Sequence, residues 1–109
     1  MSEEMADVRA IAIKRLALEF KDLHRDWLDA SVRAQSCTQA ILLCEEFLEK
    51  YKHRLGEKEH KDIKRLIERL MSEKEDAERA ASMCYEVLQR IEREISTVLG
   101  EKWVHITER

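Results

Sequence analysis

Ile13, Leu16, Phe20, Leu23, Trp27, Ala30, Ala34, Cys37, Ile41, Cys44, Leu48, Tyr51 and Leu55 step along the chain by alternate threes and fours without a break. An apolar seam held in one phase for about six heptads forms only where the segment is a single helix facing other helices. A second seam runs through Ile63, Ile67, Leu70, Lys74, Ala77, Ala81, Cys84, Leu88, Ile91, Ile95 and Val98, with Lys74 its one polar member. The chain contains no Pro or Asn and only two Gly, the residues that end helices and build turns. No stretch alternates apolar and polar residues with β-branched enrichment, so strands are not expected. The fold class is all-α.

Gly56 supplies the one internal stop. Lys50, Lys52, His53 and Arg54 crowd the turn before it, and Glu57 and Glu59 follow. Cations at a helix C-terminus, a residue free to take positive φ, then carboxylates at a new N-terminus predict a tight turn. The expected layout is one helical domain over 1–109. It has helix 1 over about 3–55, a turn at 56–57, helix 2 over about 58–99 and a short tail at 100–109, with Ser2 as N-cap. Folding back at 56/57 gives an antiparallel hairpin in which the numbers of facing residues sum to about 113. That register places Ala30, Ala34 and Cys37 level with Ala77, Ala80, Ala81 and Met83, narrow against narrow.

A compact three-helix bundle is the alternative. Ser36-Cys-Thr-Gln39 and Ser72-Glu-Lys-Glu75 both fit the capping box. A break at Ser36, however, would reset the heptad phase, whereas Ala34, Cys37 and Ile41 carry it through.

Two helices with this sequence have more apolar surface than one shared stripe buries. Ile11, Leu18, Leu28, Val32, Leu42 and Leu43 lie off the first seam, and Leu66, Met71, Val87 and Leu99 widen the second. Burying one such side chain contributes roughly 1.5–3 kcal/mol, so leaving ten wet would forfeit more than a domain's typical net stability. Residues 34–44 and 80–85 carry no charge, although 39% of the whole chain is charged. A surface without charge on any side resembles the middle of an interface. The expected partner-binding residues are Trp27, Leu28, Val32, Ala34, Gln39, Leu42, Leu43, Met71 and Val87. The expected occupant is a second copy or another helical protein, docking helix on helix through a protein with a scaffold or adaptor role.

Motifs for chemistry are sparse. Glu57-x-x-His60 has the spacing of a di-metal bundle ligand pair, but such sites need a second copy of the motif and the chain has none. His24, His53 and His105 lack His or Cys companions at ligand spacing. No serine sits on a strand–turn–helix elbow, and no glycine-rich loop is present to cradle phosphate. The expectation is a non-enzymatic protein without metal, cofactor or small-molecule substrate. Residues 50–69 hold eight Lys or Arg against four acids, a +4 excess in a chain of net charge −3. Lys58, Lys61, Lys64 and Arg65 at this tip offer the second functional reading, a small nucleic-acid-associated regulator. Cys37, Cys44 and Cys84 are an odd number without a CxxC pair, which reads as reduced thiols in the cytoplasm or nucleus. No apolar run reaches the length of a membrane span.

Overall fold

The structure, a computed structural model, describes residues 3–100. Two helices account for nearly all of them: α1, Glu3–Tyr51, and α2, Glu57–Leu99. The all-α, two-helix expectation holds, and the three-helix alternative does not. Ser36 and Ser72 both lie in mid-helix, where the capping-box spacing has no helix end to serve. Ser2 and the apolar tail after Gly100 lie outside the described residues.

Contacts divide the chain into two compact units, one joining the chain through Leu28 to the chain from Ala81 onward, the other Asp29–Ala80. In the first, an early stretch of α1 packs against the last part of α2. Leu16, Ile91 and Ile95 are buried together, with Ile13, Phe20, Leu23, Val87 and Val98 packed around them. Leu88 and the carboxylate-bearing Glu92 are buried in the same unit. The Trp27 ring meets the Tyr85 ring at 6.1 Å between centroids, and His24 lies 5.6 Å from Trp27 on the other side.

The second unit is two helices joined by a turn, and three of its four buried apolar residues are small. Ala30, Cys37, Ile41 and Ala77 are buried. Thr38 and Glu75 line one surface hollow, and Leu48 and Lys64 line another. Within the first unit, the ring contact of Trp27 with Tyr85 joins residues whose numbers sum to 112, the register that the seams imply.

The turn departs from expectation. α1 ends at Tyr51, four residues early, and the connection is 52–56. The Tyr51 carbonyl accepts from both the Arg54 and Leu55 amides, at 2.9 and 3.2 Å. Leu55 keeps the apolar spacing while already in the turn, where it remains half-buried, so the seam outlasts the helix. Gly56 does not adopt a positive φ. Its carbonyl accepts the His60 amide at 3.1 Å, which makes it the N-cap of α2. Glu59, three residues on, folds its carboxylate into the place a Gly56 Cβ would occupy, the position from which a capping-box acid reaches back. The left-handed glycine is Gly100, at φ 70°, whose amide donates to the Ser96 carbonyl at 2.9 Å and closes α2.

Three acid-first i,i+4 spacings, Asp29–Arg33, Glu46–Lys50 and Glu57–Lys61, do not close into ion pairs among the described residues. The pairs that form on the helix surfaces are Lys21–Asp22, Arg25–Asp22, Lys52–Glu49, Lys74–Glu78 and Arg79–Asp76. Solvent-exposed pairs contribute about 0.2–1 kcal/mol at best, too little to hold long side chains in one preferred geometry.

Candidate partner-binding face

The nine residues picked from the sequence fall into two groups. Trp27, Ala34 and Val87 are half-buried and spend their apolar surface inside the units. Trp27 packs on Tyr85, and Val87 packs on the Leu16 cluster. Leu28, Val32, Gln39, Leu42, Leu43 and Met71 are exposed. Leu43 keeps 67% of its surface in solvent and Val32 59%.

Heptad geometry explains the division. Residues on the seam turn toward the other helix, while Val32, Gln39 and Leu43 stand on the far side of α1 and Leu42 stands at the edge where that side meets the groove. The structure brings Leu42 and Met71 together across the groove between the two helices of the second unit. They line one open hollow with Thr38, Ile41, Glu45, Lys74, Glu75 and Glu78. Thr38 donates its hydroxyl to the Ala34 carbonyl at 3.1 Å, so its polar group is satisfied within α1. Lys74, the polar member of the second seam, leans out to Glu78 at 3.8 Å and leaves the hollow's floor to Ile41.

One exposed apolar residue escaped the sequence reading of this face. Phe47 follows Leu43 by one helical turn, is 43% exposed, and stacks on Tyr51 at 4.9 Å between ring centroids. Its spacing from Leu43 was the available signal, masked by the acidic pair Glu45-Glu46 before it and by the seam residue Leu48 after it. Met83 is 68% exposed in the first unit. It sits in the uncharged run 80–85 but at an outward position of α2.

The basic residues of the tip do not form one patch. Lys58, Lys61 and Arg65 line a hollow together with Glu57 and Asp62. Lys64 lines a different one, beside Glu45, Glu49 and Glu68. Carboxylates sit among the cations in both, so the charge excess counted along the chain is locally offset. Tyr51, the aromatic ring nearest this end, already stacks on Phe47 and lies under Lys50 and Arg54, at 5.6 and 6.0 Å.

Among the described residues, no three His, Cys, Asp or Glu side chains gather where they would hold a metal ion. Glu57 and His60 occupy the first turn of α2, next to the N-cap. Cys37 is buried, Cys44 and Cys84 are half-buried, and all three are free thiols. Among the described residues, no helix is long and apolar enough to cross a membrane. The chain matches no known family model, no curated protein and no solved structure.

Proposed function

We propose that this chain is a non-enzymatic assembly protein that docks helix on helix through the outer face of α1. One observation carries the reading. Over residues 34–44 the outward side of α1 is uncharged, and Leu42 and Leu43 stand on it 46% and 67% exposed. Apolar side chains in such a setting gain roughly 25 cal/mol for each Å² of surface a partner covers. The neutral residues between them remove the desolvation cost that charges would add.

The test is a Leu42→Asp, Leu43→Asp variant of the full chain beside the parent. The parent should show a mass above 12.9 kDa by light scattering and a melting temperature that rises with protein concentration. The variant should lose both while keeping its helical circular dichroism, because neither side chain belongs to the core. An unchanged mass and melting curve in the variant would refute the reading.

A further inference from the structure

The outer face of α1 carries a charge order that names its occupant. Positions 21, 25, 28, 32, 35, 39, 42, 46 and 49 step by alternate fours and threes, a stripe of its own alongside the buried seam. Its first two members, Lys21 and Arg25, are cations. Its last two, Glu46 and Glu49, are anions. The five between them carry no charge.

We infer that the occupant is a second copy of this chain, its α1 laid antiparallel on the first, with Gln35 at the two-fold axis. This rests on the assembly reading above and supplies its partner and register. Reversing the stripe and laying it on itself sets Lys21 against Glu49 of the second copy and Arg25 against Glu46. Leu28 then meets Leu42, Val32 meets Gln39, and Gln35 meets Gln35. Every contact away from the axis occurs twice, as a closed two-fold interface requires. A parallel arrangement in the same register would set each cation on a cation and each carboxylate on a carboxylate. The charge order therefore selects orientation as well as partner. Gln35, exposed, carries a donor and an acceptor able to pair with its own copy across the axis. A polar residue inside an apolar seam fixes register at some expense of affinity.

The cations and carboxylates are free to be recruited. Among the described residues Lys21 and Arg25 pair with Asp22, at 3.9 and 3.7 Å, with their side chains 69% and 67% exposed. Glu49 meets Lys52 at 3.2 Å with its own side chain 78% exposed. Such contacts yield easily to better-placed partners.

The experiment is charge exchange in the full chain, followed by analytical ultracentrifugation at moderate salt. Arg25→Glu places two like-charged contacts in each dimer, and so does Glu46→Arg. Each variant alone should dimerise roughly tenfold more weakly than the parent. Mixed in equal amounts they should restore the dimer. In a mixed pair the two substituted side chains, now of opposite sign, face each other on one side of the axis, and the unaltered Arg25 and Glu46 face each other on the other side. The double variant, with both changes in one chain, should recover as well. A parent that stays at 12.9 kDa at all concentrations overturns the second copy as occupant. A parent dimer that Leu42→Asp breaks but the mixture fails to rescue overturns the antiparallel register alone and leaves the assembly reading standing. A dimer indifferent to Leu42→Asp overturns both.

Discussion

Leu16 and Leu18 provide a paired test of which face of α1 the first unit buries. Leu16 retains 2% of its surface in solvent and packs with Ile91 and Ile95, whereas Leu18, two positions on, retains 59%. Replacing either by Ala removes the same three carbons, and Ala is at least as good a helix former as Leu, so propensity does not separate them. At about 0.8 kcal/mol for each buried methylene, Leu16→Ala forfeits about 2.4 kcal/mol of transfer energy. A cavity contribution adds to this. The half-buried neighbours Ile13, Phe20 and Leu23 have room to relax into the gap, so the expected total is about 3 kcal/mol, in the lower half of the usual range. For a chain of this size that lowers the melting temperature by roughly 12–20 °C. Leu18→Ala should cost no more than about 1 kcal/mol, because most of its side chain is already wet. Urea unfolding followed by circular dichroism, at one fixed protein concentration, measures both. Equal losses for the two variants, or a loss below about 1 kcal/mol for Leu16→Ala, would refute the assignment of faces.

Two further substitutions probe the second unit and its turn. Ala77 is fully buried, so Ala77→Leu should destabilise by about 1–3 kcal/mol in urea titration; a neutral result would mean the helices are not closely apposed there. Gly56 caps α2 with an ordinary φ, so Gly56→Ser should leave the melting temperature unchanged or raise it, once the flexible Glu59 carboxylate swings aside. A loss of about 1 kcal/mol instead would indicate a left-handed turn.

Much of the fold was legible in the heptad phase. Unbroken spacing through Ala34, Cys37 and Ile41 excluded a helix end at Ser36, and the two seams together gave the register that the Trp27–Tyr85 contact keeps. What spacing does not encode is where the backbone leaves the helix. Leu55 is apolar and in phase, yet it lies in the turn, because one carbonyl, that of Tyr51, takes two amides at once. Gly56 invited a left-handed reading because glycine permits positive φ. Permission is not a requirement, and here glycine accommodates a neighbouring carboxylate instead. For the binding face, exposure of Leu28, Val32, Leu42, Leu43 and Met71 followed from their positions off the seam. Trp27 and Ala34 belong to the first seam and turn inward with it, whereas Val87, off the second seam, is drawn in by the Leu16 cluster, a contact that depends on side-chain reach and not on phase. The basic tip looked uniform in sequence because counting along the chain ignores which cations share a side with Glu57 and Asp62.

The register also dictates an order of assembly in time. Lys52 and His60 line the same hollow near the turn, only eight residues apart in the chain. Trp27 and Tyr85 are separated by 58. Each doubling of an open loop costs about 0.6 kcal/mol in closure entropy, so contacts beside Gly56 form at least expense and every later pair closes a shorter effective loop once they are in place. Folding should therefore zip outward from the turn. A slowed refolding limb is expected for substitutions near His60, and an accelerated unfolding limb for those near Leu16.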